Sequence, residues 1–163
     1  QNSDLFSNYG AVRTITPFFT RRIGLARDPD GNLIENDIIG GIRLSGKISN
    51  GLKIGLLSML TNDDISNEIP SNLNTVLSIN QKMFNRSALK FLFINRETVK
   101  DYDFVNENDV FNRLIGLEYD LNSINNVWNG RFFTYNSFSP ARNENGFSGG
   151  KLIVERGILI STV

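Results

Sequence analysis

The stretch Gly40-Gly41-Ile42-Arg43-Leu44-Ser45-Gly46-Lys47-Ile48-Ser49-Asn50-Gly51-Leu52-Lys53-Ile54-Gly55-Leu56-Leu57 decides the fold class. In its first half Ile42, Leu44, Gly46 and Ile48 alternate with Arg43, Ser45 and Lys47, a period of two that belongs to a strand and not to a helix. Ser49-Asn50-Gly51 then interrupts the run, and Asn and Gly tolerate the positive φ that tight hairpins demand. A second strand-like run follows at once, rich in Leu and Ile. The unit reads as a β-hairpin.

The same pattern recurs outward along the chain. Strands are predicted at 13–23, 40–48, 52–61, 74–84, 88–96, 111–121, 127–138 and 150–162, with residues 1–10 as a leading loop. Leu89, Phe91 and Phe93 oppose Ala88 and Lys90; Ile115, Leu117, Tyr119 and Leu121 oppose Gly116, Glu118 and Asp120. Two runs are less clean. Leu57 and Met59 fall on the Lys53 side of 52–61, and 127–138 has no clear alternation. The predicted fold class is all-β, an antiparallel meander of hairpins, forming a single region over 1–163.

The connections carry further information. Short turns at 49–51, 85–87 and 122–126 alternate with long ones at 24–39, 62–73, 97–110 and 139–149. Outer-membrane barrels have short periplasmic turns and long external loops. A soluble sandwich should have loops of similar length at both ends. The alternation therefore predicts part of a transmembrane β-barrel in the bacterial outer membrane, with lipid as its partner. Met83, Phe84, Tyr119 and Trp128 gather at short-turn ends, where amphipathic rings suit the headgroup level. Ordinary cross-strand packing is the competing explanation for them.

Composition narrows the function classes. Lys+Arg and Asp+Glu are both 17, so the chain lacks the basic excess typical of nucleic-acid binders. There is no His and no Cys, which removes Ser-His-Asp and Cys-His nucleophile systems and nearly every zinc site. No apolar run approaches the roughly 18 residues of a transmembrane helix, a fact that does not bear on strands. The chain opens on Gln1, which reads as a mature form or an excised piece.

Several motifs invite chemistry. Asp28-Pro29-Asp30-Gly31-Asn32 has calcium-like spacing of oxygens, but Leu33 and Ile39 stand where an EF-hand needs Gly and Glu. A Pro-Asp-Gly turn explains it better. Carboxylates pair at Asp63-Asp64, at Asp101 with Asp103, and at Glu118 with Asp120. Glycoside hydrolysis needs two carboxyls facing each other across a bond, and one strand places them poorly for that. Asn85-Arg86-Ser87 matches a glycosylation sequon, and a hairpin turn accounts for it. Charges on a lipid face near the midplane cost roughly 2–4 kcal/mol each. Arg43, Lys47, Lys53, Lys82, Lys90, Glu118, Asp120 and Arg131 are therefore expected to face a barrel lumen. No catalytic, cofactor-binding or metal-ligating residue is assigned.

A series of runs also resembles a known family. They are Asp4-Leu5-Phe6-Ser7, Thr16-Pro17-Phe18-Phe19-Thr20-Arg21-Arg22-Ile23-Gly24, Gly40-Gly41-Ile42-Arg43-Leu44-Ser45-Gly46-Lys47 and Ile54-Gly55-Leu56-Leu57. They continue with Asn85-Arg86-Ser87, Asn112-Arg113-Leu114-Ile115-Gly116-Leu117, Trp128-Asn129-Gly130-Arg131-Phe132-Phe133 and Ser137-Phe138-Ser139-Pro140. In this order, over roughly 4–140, the chain resembles the bacterial domain of unknown function 5916, which follows a carbohydrate-binding family 9-like module in surface proteins. The resemblance implies an outer-membrane barrel behind a sugar-binding module, and glycans as partners through that N-terminal module. Members are sometimes labelled hydrolases, but no catalytic motif accompanies the label. This chain lacks the module and the terminal aromatic of a complete barrel, so a fragment is expected, with 13–23 and 150–162 as edge strands. Two other functions are weighed beside this one: a soluble carbohydrate-binding β-sandwich, and a carboxylate-dependent glycoside hydrolase.

Overall fold

The computed structural model describes residues 23–125, 127–140, 142–154 and 158–162, the last two stretches through their backbone alone. Among these residues ten strands run β1 Leu25–Arg27, β2 Leu33–Glu35, β3 Ile38–Lys47, β4 Leu52–Thr61, β5 Asn72–Met83, β6 Ser87–Thr98, β7 Phe111–Asn122, β8 Trp128–Ser139, β9 Arg142–Val154 and β10 Ile158–Thr162. Strands β3 to β10 form one eight-stranded antiparallel sheet in which every strand pairs with its neighbours in sequence. There is no α-helix among the described residues, only short 3-10 turns at Ile65–Asn67 and Glu107–Asp109. No described helix is long and apolar enough to cross a membrane. Among the described residues β3 and β10 are the outer strands of the sheet, and they do not pair with each other.

The expected hairpins form where turn chemistry allows. Ser49-Asn50-Gly51 closes β3 on β4, with the Ile48 amide donating to the Leu52 carbonyl at 2.9 Å. The next turn sits one residue earlier than predicted, over Phe84–Arg86, because Ser87 already pairs with Met83. Ser87 is buried, and its hydroxyl accepts from the Asn122 amide at 3.1 Å, tying this turn to the next. At the third turn, the Trp128 amide donates to the Ser123 hydroxyl at 3.0 Å.

Three expectations are corrected. Residues 24–39 are not a plain loop: β1 and β2 form a small hairpin around the Asp28–Asn32 turn. The predicted strand 150–162 is two strands, β9 and β10. The long connection expected at 139–149 is absent, since β8 ends at Ser139, which pairs with Arg142 at the start of β9. Arg142-Asn143-Glu144-Asn145-Gly146 is polar throughout and so reads as loop. In the fold the β8 partners satisfy its backbone, and pairing overrides a weak intrinsic preference. The long–short alternation thus holds from β3 to β8 and stops there. The predicted strand 13–23 and leading loop 1–10 lie outside the described residues, save for Ile23.

Residues opposite one another in a ladder point to the same side. One side of the sheet carries Leu57, Val76, Leu92 and Tyr135, which form a small buried cluster. Leu57, which blurred the alternation of 52–61, belongs to this cluster. The other side carries Leu44, Leu56, Leu77, Phe93 and Ile115 in one row, with Ile54, Ile79, Phe91 and Leu117 in the next. Further apolar residues lie on this side in the rows beyond, Ile42, Leu60, Leu73 and Phe111 towards the long loops and Leu52, Leu89, Leu121 and Phe132 towards the short turns.

Candidate functional site: a buried ionic cluster behind an apolar face

The ladder pairs place Lys90 opposite Glu118 and Asp120 opposite Arg131, in neighbouring rows on the side that carries the buried cluster. Lys90 Nζ lies 2.7 Å from Asp120 Oδ2 and 3.7 Å from Glu118 Oε2, so one ammonium bridges two carboxylates. Arg131 grips Asp120 through Nε at 2.5 Å and Nη2 at 3.3 Å. Tyr135 donates its hydroxyl to Glu118 Oε1. The Glu118 side chain is fully buried and that of Lys90 is 9% exposed. Buried ions are tolerated only when paired and hydrogen-bonded, and this cluster supplies both conditions.

Gly116 makes the arrangement possible. A Cβ there would lie 2.3 Å from Tyr135 Cε1 and 2.4 Å from Cδ1, so the ring occupies the space a side chain would take. An aromatic laid over a strand glycine covers exposed backbone, a known way of fixing register. It also aims the phenol at Glu118, two residues further along β7.

Arg43, Lys47, Lys53, Lys82, Lys90, Glu118, Asp120 and Arg131 all lie on this one side of the sheet. The structure joins Lys90, Glu118, Asp120 and Arg131 into the cluster. Arg43, Lys47, Lys53 and Lys82 share the side but sit towards β3 and the short turns, exposed. Sequence reasoning missed Tyr135, because its strand showed no clear alternation. The available signal was a glycine on a polar face, Gly116, beside a strand bearing an aromatic residue.

The opposite side has the reverse character. Ile42, Leu44, Ile115, Leu117 and Phe132 are all exposed, with Leu44 at 67%. Above the band towards the long loops this side turns polar. Arg113 reaches Asn95 at 3.0 Å and Glu97 at 3.4 Å and stacks over Phe111 at 4.4 Å.

The long-loop end is clasped by its own network. Tyr102 donates to Asp63 at 3.0 Å and accepts from the Ser71 amide at 3.2 Å, while Lys100 lies 3.2 Å from Asp63. Hydrogen bonds from Lys100 and then Tyr102 hold the Asp63 carboxyl below its ordinary value, and Asp63 in turn raises Lys100. Asp64 caps the first 3-10 turn, accepting from the Asn67 side chain at 2.7 Å. Beneath this clasp a cavity of about 500 Å³ opens, lined in part by Asn72, Asn74, Arg96, Thr98 and Phe104. The Asp28 carboxylate is engaged by Asn32, from its amide at 2.7 Å and its side chain at 3.0 Å, as a turn requires.

Chemically, the ionic cluster is a bolt. Its two carboxylates rise from one strand, side by side, and do not face each other across a cleft. Comparison with protein-family models, curated proteins and solved structures returns no match for this chain.

Proposed function

We propose that this chain is part of an outer-membrane β-barrel, with its apolar side against lipid and its charged side towards a wet interior. The observation that carries this reading is the inverted exposure. Leu44 and Ile42 are more than half exposed, while Glu118 and Lys90 on the other side are buried. A water-soluble sheet gains stability by burying its leucines and solvating its carboxylates. A barrel wall in lipid does the opposite, since hydrocarbon solvates apolar side chains and the interior supplies water and counter-charges.

Further features agree with this. Strands β3 to β9 are 10 to 13 residues long, enough to cross a bilayer core at a tilt. On that side Tyr119, Trp128 and Phe132 lie towards the short turns and Phe111 and Phe138 towards the long loops, as aromatic girdles do. The short turns would then face the periplasm and the 62–71 and 99–110 loops the exterior. The resemblance to barrels that follow a sugar-binding module adds glycans as the partner class, through that module.

A soluble carbohydrate-binding sandwich would need a second layer over the side that bears Leu44, Ile115 and Leu117. A glycoside hydrolase would need opposed carboxylates, and the ionic cluster does not offer them. The reading is tested by refolding the chain into liposomes and floating them on a density gradient. Strand-rich protein that rises with the lipid and resists carbonate extraction supports it. Folded protein that stays in the aqueous fraction overturns it.

A further inference from the structure

Lys47 stands directly opposite Lys53 in the β3–β4 ladder, and Lys53 in turn faces Asn80, which faces Lys90. Like charges across a ladder repel. None of Lys47, Lys53 and Lys82 has an ion-pair partner among the described residues. A cavity of about 370 Å³ opens at this short-turn end, lined by Lys53, Lys82, Arg86 and Lys90 against one carboxylate, Asp120. That carboxylate is already held by Lys90 at 2.7 Å and Arg131 at 2.5 Å, so it leaves the remaining cations uncompensated. Arg86 is pinned to the wall, its Nη1 donating to the Ile124 carbonyl at 3.3 Å. The Asn80 and Asn85 amides add neutral donors.

We propose that this cavity binds a small multivalent oxyanion, of the class of phosphate-bearing solutes. Several ammonium groups and a guanidinium, converging with amide donors on a partly enclosed space, match tetrahedral oxyanions and no neutral ligand. The cations lie on the side away from the apolar band, so a lipid headgroup anchored by chains against that band does not reach them. The site's position at a periplasmic opening rests on the membrane reading above; the charge cluster itself does not. In a barrel, interior Lys and Arg of this kind favour anions over cations.

The test is calorimetric titration of inorganic pyrophosphate into the full chain in zwitterionic micelles at low salt. Saturable binding is expected, weakened about tenfold by Lys53→Gln or by Lys82→Gln, roughly the loss of one charge-assisted hydrogen bond. Lys53→Arg should retain it, and Arg113→Gln, on the other side of the sheet, should not change it. Absence of saturable binding, or affinity unchanged from the parent chain in both Lys→Gln variants, overturns the proposal. Loss of pyrophosphate binding on doping the micelles with phosphatidylglycerol would assign the site to a headgroup and overturn it also. Failure of the chain to float with liposomes would count against the membrane reading alone and leave the isotherm untouched.

Discussion

The Tyr135 ring lies flat across Gly116 on the neighbouring strand and delivers its hydroxyl to Glu118. A methyl group at 116 would overlap the ring, so the glycine, the phenol and the buried carboxylate act as one unit. Gly116→Ala should cost about 2 kcal/mol, the usual penalty for overpacking. Tyr135→Phe, which keeps the ring and removes one hydrogen bond to a charged acceptor, should also cost about 2 kcal/mol. Urea unfolding in micelles measures both. A neutral Gly116→Ala would mean that the ring does not lie over residue 116.

Lys90 bridges two carboxylates that stand side by side on one strand. Lys90→Met should therefore destabilise by about 3–5 kcal/mol, because it strands buried charge rather than merely deleting a contact. Adding Glu118→Gln to that variant should recover part of the loss. A double variant no more stable than Lys90→Met would show that the Lys90–Glu118 approach contributes nothing.

The loop clasp has a defined pH dependence. Asp63 is depressed below the ordinary carboxyl value of about 3.9, first by Lys100 and then by Tyr102. A carboxylate depressed in the folded state contributes stability that is complete above the unfolded value and lost as pH falls through the folded one. Exchange protection of the Ser71 and Val99 amides should stay level from neutral pH to about 4 and decline below it. In Asp63→Asn that decline should vanish. Protection that falls instead between pH 7 and 5 would place the clasp on other groups.

Phe84 adopts φ 53° in the β5–β6 turn and is 85% exposed. The left-handed region costs an L-residue about 1–2 kcal/mol, and a bulky ring is an unusual occupant. A turn fitted only for folding would use Gly or Asn. Phe84→Gly should thus raise stability in micelles by about 1 kcal/mol while lowering the fraction that partitions into bilayers. An unchanged partition would remove Phe84 from the proposed interfacial girdle.

Much of this architecture was legible in the chain because its rules are local. Alternation in 40–48 and the Ser49-Asn50-Gly51 turn fix a hairpin whoever its neighbours are, and β4 matches its predicted bounds of 52–61. Even the set of charges on one side followed from parity along each strand. What escaped was the part that pairing decides. Arg142-Asn143-Glu144-Asn145-Gly146 has no strand signal of its own and joins β9 only through β8. Tyr135 and Gly116 meet because of cross-strand register, which no single strand encodes. The Tyr102–Asp63 clasp unites loops 39 positions apart and has no periodic trace.

The direction in which each side of the sheet faces separates a membrane wall from a water-soluble fold, and the absence of cysteine allows clean single-cysteine probes. The most direct measurement places one cysteine at Leu44, Ile115 or Leu117 on one side, or at Lys53, Asn80 or Lys82 on the other, in protein refolded into liposomes. The sites on the Leu117 side should resist a water-soluble maleimide, and a bimane attached there beforehand should be quenched by brominated acyl chains. The sites on the Lys53 side should label readily and escape that quenching. Ready labelling at Leu44, Ile115 and Leu117, equal to that at Asn80 and without quenching by brominated lipid, would contradict the membrane account and leave this sheet as one wall of a water-soluble fold.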